Sequence, residues 1–83
     1  VMKYTIEFKP GAFKDLKKLN KQDSRNVIEK IDLLENGLSG DVKRLTNFTP
    51  EYRLRVGDYR VLFEVEGEKV VIYRVKHRKE VYR

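Results

Sequence analysis

The sequence predicts an α+β domain: a helical hairpin packed on one face of a mostly antiparallel, four-stranded sheet, in the order β-α-α-β-β-β. Three observations carry that expectation. Apolar residues alternate near both ends of the chain, they recur at helical spacing in the stretch between, and glycine turns separate the C-terminal runs. With 83 residues the chain can fill one core and not two, so 1–83 is read as a single domain.

Residues 3–8 alternate Tyr4, Ile6 and Phe8 against Lys3, Thr5 and Glu7, the period of a half-buried strand. Pro10-Gly11 interrupts it. Ala12, Phe13, Leu16 and Leu19 then recur at helical spacing with Lys14, Lys17 and Lys18 between them, which predicts a short amphipathic helix. Asn20 suits the N-cap of a second helix, with Asp23 near its positive end. Val27, Ile28, Ile31 and Leu34 form that helix's apolar stripe, and Gly37 supplies its stop. Residues 38–50 read as a loop broken by Ser39, Gly40, Asn47 and Pro50, with Leu45 or Phe48 as anchors. Three strands follow, at 52–56, 59–65 and 69–75.

Charge narrows the function. Nineteen Lys and Arg against thirteen Asp and Glu leave a net +6. Such a field attracts a polyanion or an acidic protein. Cysteine is absent, which excludes thiolate nucleophiles, disulfides and Cys-ligated zinc, and a single histidine argues against a His-built metal site. Neither metal nor cofactor is expected. The apolar runs are too short to cross a membrane and no secretory leader is evident, so the expectation is a cytoplasmic protein without a membrane partner. Six of the eight arginines (Arg53, Arg55, Arg60, Arg74, Arg78, Arg83) fall after Pro50. Arginine offers a rigid fork that matches phosphate or carboxylate.

The first C-terminal hairpin turns through Gly57-Asp58, a two-residue loop with glycine first, as type II′ turns prefer. That loop sets Val56 opposite Tyr59, Arg55 opposite Arg60, Leu54 opposite Val61 and Arg53 opposite Leu62. Arg53, Arg55 and Arg60 then project from one side, while Tyr52, Leu54, Val56, Tyr59, Val61 and Phe63 project toward the helices. Directly opposed arginines destabilise a ladder, so a role beyond folding is indicated: an anion pocket fitted to a phosphate. The alternative is a surface network neutralised by Glu64. The second hairpin, through Glu66-Gly67-Glu68, is open between two registers. A two-residue turn sends Val70 and Ile72 to the helices; a three-residue turn sends Val71, Tyr73 and Val75.

The tail from Lys76 to Arg83 adds side chains used in phosphate chemistry. His77 can shuttle protons near neutral pH, Arg78 can clamp an anion, and Tyr82 can stack on a base. Each also has a plain structural reading, as a solvated ring, a partner of Glu80 and a terminal anchor. Lys76, Lys79 and Arg74 add positive charge beside them, the kind of basic patch that attracts a nucleic acid such as RNA.

Tyr52-Arg-Leu-Arg-Val-Gly-Asp-Tyr-Arg-Val-Leu-Phe63, followed by Val75-Lys-His-Arg-Lys-Glu-Val-Tyr82, resembles the RelE branch of the RelE/ParE toxin superfamily over nearly the whole chain. The resemblance implies a type II toxin that enters the ribosomal A site and cuts mRNA without a metal. It also implies a cognate antitoxin that wraps and neutralises it, a monomeric free toxin, and a toxin–antitoxin complex of higher order. By position it implies that Arg60 binds the scissile phosphate, that Arg53 and Arg55 occupy the sites of two family lysines, and that Tyr82 orients the substrate. The C-terminal basic role falls on Arg78, or on Lys76 if the motif is counted back from Tyr82 without a gap. Arginine cannot serve as a general base. Among titratable groups His77 is the first candidate for proton transfer and Tyr82 the second. Two other functions fit the same scaffold: a ParE-like inhibitor of DNA gyrase, and a basic nucleic-acid-binding module without catalysis.

Overall fold

Alternation at the two ends and helical spacing between them produce two layers. In the computed structural model, which describes residues 2–80, the elements are β1 (Thr5–Phe8), α1 (Pro10–Lys18), α2 (Lys21–Asp32), β2 (Asp41–Arg44), β3 (Tyr52–Val56), β4 (Tyr59–Glu66) and β5 (Lys69–His77). A single 3-10 turn, Leu33–Glu35, extends α2 toward Gly37. The expected α+β class and helical hairpin are present. The sheet has five strands, in the order β1-β5-β4-β3-β2, rather than four. It is mixed: β1 runs parallel to β5, and the other neighbours are antiparallel.

The additional strand is β2, inside the stretch expected to be loop. Its four residues are too few to raise a period-2 signal, and it is stabilised by tertiary pairing with β3: Asp41 opposite Arg55, Val42 opposite Leu54, Lys43 opposite Arg53 and Arg44 opposite Tyr52. Gly40 makes this possible. Its φ is 118°, and a Cβ there would stand 2.9 Å from Leu54 Cδ1, so a side chain would meet both backbone strain and a clash.

The helices begin as the sequence indicates. Pro10 opens α1 at its first turn, where a missing N–H costs nothing. Asn20 caps α2, its Oδ1 accepting the Asp23 N–H at 2.8 Å. The core lies between helices and sheet: Ala12, Leu16, Val27, Ile31 and Leu34 from above meet Leu54, Val61, Phe63, Val70, Ile72 and Val75 from below. Phe13 and Ile28, which share the helical spacing, are instead 53% and 39% exposed. Phe13 leans on Phe8, with ring centroids 5.3 Å apart, at the outer margin of α1.

The second hairpin resolves to two residues, with Glu66 opposite Lys69 and Val65 opposite Val70. Yet Val75 also enters the core, because the β4–β5 ladder shifts register between Leu62 and Phe63 and leaves Tyr73 unpaired. One extra residue reconciles the two patterns that a regular strand makes exclusive. No helix among the described residues is long and apolar enough to cross a membrane.

Candidate RNA-facing surface of the sheet

Gly57 adopts the positive φ, 56°, expected at the first position of a type II′ turn, and the register of the first hairpin is the one its sequence predicts. Arg55 therefore lies opposite Arg60, Arg53 lies opposite Leu62, and all three arginines project from the sheet face away from the helices. Adding the flanking strands gives two rows across the sheet. One runs Asp41, Arg55, Arg60, Lys76; the next runs Lys43, Arg53, Leu62, Arg74.

The environments within these rows differ. Arg53 is nearly buried, its side chain 10% exposed, and stands 3.8 Å from an Asp41 carboxylate oxygen. Arg55 is more than half exposed and lies 4.0 Å from the other oxygen of Asp41. The two guanidiniums thus share one carboxylate at distances set by charge, beyond hydrogen-bond length. This neutralisation comes from β2, and not from Glu64 as the sequence suggests. Arg60 Nη1 donates to the carbonyls of Gly57 at 2.9 Å and Tyr59 at 3.0 Å, which draws its head group toward the turn. Arg78 joins the same turn: its N–H donates to the Asp58 carbonyl at 2.7 Å, and its Nε lies 3.8 Å from the Asp58 carboxylate.

Lys76 is paired with Arg60 and lies in the arginine row. Arg78 sits just past the end of β5 beside the Gly57-Asp58 turn, so both candidates for the C-terminal basic role are close to Arg60. Lys79 follows, exposed, with its N–H donating to His77 Nδ1 at 3.3 Å. His77 itself pairs with Tyr59, which assigns it to the helix side of the sheet, apart from the arginines. Its ring meets Tyr59 edge-on at 5.7 Å beside a concavity of about 290 Å³ that Asp23, Asn26 and Val56 also line. Tyr82 lies outside the described residues.

Arg74 has a structural partner. Its guanidinium makes a bidentate pair with Asp15 of α1, Nε to Oδ2 at 2.7 Å and Nη2 to Oδ1 at 3.0 Å. Asp15 Oδ2 also accepts the Val75 N–H at 2.9 Å, so the carboxylate serves the edge of β5 beyond the last β1 pair. Burial alone would push the Asp15 carboxyl up. The Arg74 hydrogen bond, the Val75 N–H and the charges of Arg74 and Lys76 outweigh that and hold it below the ordinary aspartate range. Tyr59 is held above the usual phenol range by burial, then by its hydrogen bond to Asp23 at 3.1 Å and the charges of Asp23 and Asp58. Sequence reasoning passes over both Asp15 and Asp41. Asp15 has the local look of a solvated acid among lysines, and Asp41 follows a glycine in a segment with breakers on either side. Among the described residues no group of three His, Cys, Asp or Glu could hold a metal ion.

Comparison with known proteins fits this geometry. Residues 6–82 match the family model of the ParE toxin of the type II toxin–antitoxin system. The chain is 34% identical to toxin RelG of Mycobacterium tuberculosis, over 99% of each chain. It is 43% identical to toxin RelE3 of Methanocaldococcus jannaschii over 47 residues, a match spanning 57% of this chain and about half, 53%, of that relative. Among solved structures it is similar to the RelB-RelE antitoxin–toxin complex from Methanococcus jannaschii, with TM-score 0.76, 31% identity and 92% and 94% of the two chains covered. It is likewise similar to the toxin–antitoxin complex RelBE2 from Mycobacterium tuberculosis, with TM-score 0.77, 32% identity and 93% and 100% covered. A family match across nearly the whole chain, joined to a relative 34% identical over the full length, shows that this chain belongs to the RelE/ParE superfamily of type II toxins.

Proposed function

We propose that this toxin is a metal-independent endoribonuclease that cuts mRNA in the ribosomal A site by attack of a 2′-hydroxyl on its neighbouring phosphate. The observation that carries the reading is the convergence of Arg53, Arg55, Arg60 and Lys76 on one sheet face. A dianionic pentavalent phosphate needs preorganised positive charge, and fixed donors aimed at developing charge are usually the largest single contribution to such a rate. Arg55 and Arg60 hold the scissile phosphate, Lys76 and Arg78 border it, and Arg53 supplies field from its shielded position. Alignment of the message by the ribosome supplies much of the remaining barrier reduction. Arg74 is better suited to fastening α1 to β5 than to binding RNA, because Asp15 already occupies its fork.

The natural partner is a cognate antitoxin, since the solved relatives are toxin–antitoxin complexes. An acidic or extended segment laid across the arginine face would silence it by competition.

The test is inducible expression with transcript-end mapping. Wild type should arrest growth and leave codon-phased ends, and Arg60→Ala should remove both. Ends that persist undiminished in Arg60→Ala contradict the reading. The ParE description of the matching family model favours one second reading, inhibition of DNA gyrase. A supercoiling assay separates them: the ribonuclease leaves gyrase unaffected, whereas a gyrase inhibitor blocks supercoiling and leaves messages intact.

A further inference from the structure

The structure assigns Asp41 as the general base of the cleavage step, an inference that rests on the ribonuclease reading above. Arginine keeps its proton, and His77 is on the helix side of the sheet, so neither can take the proton of a 2′-hydroxyl held against Arg55 and Arg60. Among the described residues, the base must then come from the outer face. Asp41 is on that face, directly opposite Arg55, and its carboxylate is next to both strand β3 arginines, at 3.8 Å from Arg53 and 4.0 Å from Arg55. Those separations exceed hydrogen-bond length, and its side chain is 57% exposed, so the carboxylate can accept a proton from a substrate without first breaking a tight pair. The other carboxylate at the centre of this face, Glu64, lies two residues beyond Leu62 and pairs with Val71, a full strand step farther from Arg60.

The order of residues along the row is compatible with in-line displacement. Asp41 and Lys76 are its two ends, with Arg55 and Arg60 between them. Adjacent strands are about 4.8 Å apart, so the end residues are separated by three steps, or about 14 Å between backbones. Side chains reaching inward from both ends can bracket one phosphodiester, with the attacking and leaving oxygens on opposite sides of phosphorus. The Asp41 carboxylate takes the 2′-hydroxyl proton as the O2′–P bond forms. The P–O5′ bond breaks, and the departing O5′ takes a proton from the Lys76 ammonium. The products are a 2′,3′-cyclic phosphate and a 5′-hydroxyl end. Exchange with water returns both side chains to their starting charge, and no other reactant is consumed.

A purely structural role makes the opposite forecast. If Asp41 only relieves repulsion between Arg53 and Arg55, removing its negative charge should improve binding of an anionic substrate and leave cleavage intact or faster. The experiment measures single-turnover cleavage of a message on programmed ribosomes. It also measures affinity for ribosomes whose message carries a 2′-deoxy nucleotide at the cut position. Asp41→Asn should cut about 100-fold more slowly, within the span a positioned base supplies, while binding the deoxy complex as tightly as wild type or tighter. Asp41→Glu should restore measurable cleavage, and Lys76→Arg should keep binding while slowing the cut. Thermal melting of each variant confirms that it is folded. Wild-type cleavage matched by Asp41→Asn would overturn the assignment and leave the ribonuclease reading standing. A wild-type protein that leaves the message intact would remove both.

Discussion

The two faces of the same sheet follow different rules. Facing the helices, β3, β4 and β5 present Leu54, Val61, Phe63, Val70 and Ile72, each essentially inaccessible to water. On the outer face the same three strands present Arg53, Arg55, Arg60 and Lys76, with Arg55 and Arg60 directly opposed. One face gains stability from every side chain it carries. The other sets like charges side by side, an arrangement that costs a few tenths of a kcal/mol or more and is offset only in part by Asp41 and by the turn carbonyls that Arg60 reaches. Strand alternation lets a single ribbon carry both patterns, so on the ribonuclease reading fold and chemistry should be separable by mutation.

The largest expected effect is on the inner face. Phe63→Ala deletes the largest fully buried side chain and removes its stacking against Tyr52, whose ring centroid lies 5.4 Å away. We expect a loss of about 3–5 kcal/mol, measured by urea denaturation, enough to leave a domain of this size largely unfolded. A melting midpoint close to wild type would show that the core is not where stability resides.

Asp15→Asn should come next, at about 2 kcal/mol, since it breaks the fork to Arg74 and weakens acceptance of the Val75 N–H. This variant also tests a pH dependence. Asp15 is depressed in the folded state, so its contribution is present above the unfolded aspartate value of about 3.9 and is lost as pH falls through the lower folded value. Wild type should lose stability steeply in that acid window, and Asp15→Asn should lose less over the same interval. Parallel acid titrations of the two proteins would show that the clasp contributes little.

Gly40→Ala should cost about 1–3 kcal/mol through positive φ and contact with Leu54, and should disturb the strand that carries Asp41. It joins the two faces, because a change that crowds a core leucine also displaces an outer-face acid. Amide exchange across 41–44 would report the disturbance directly. The smallest effect on folding is expected at Arg55→Ala, within about 0.5 kcal/mol of wild type, since it removes an exposed charge that opposes Arg60. A large destabilisation there would mean that the outer face supports the fold after all.

Much of this arrangement is legible in the amino-acid order. Gly57-Asp58 specifies the turn, the turn specifies the register, and the register brings the three arginines to one side. Asn20 likewise announces the start of α2 through its own capping chemistry. The unread parts share a cause: they depend on neighbours distant in sequence. Strand β2 exists because β3 offers it a partner, and its four residues carry too little pattern to announce it. Tyr73 bulges to satisfy packing on both sides of β5, which no local period records. Phe13 and Ile28 have core spacing but lie beyond the reach of the sheet. Asp15 becomes an edge acceptor only once α1 is docked against β5. His77 carries the right chemistry for proton transfer, but strand parity assigns it to the helix side with Tyr59.

The most direct measurement of the central claim is cleavage of a translated message by the Arg55→Ala, Arg60→Ala double variant, followed by primer extension at a matched folded fraction. A melting midpoint close to wild type is expected, together with the disappearance of codon-phased ends. A folded double variant that still cuts at wild-type rate would show that the outer face of the sheet is not where this toxin acts.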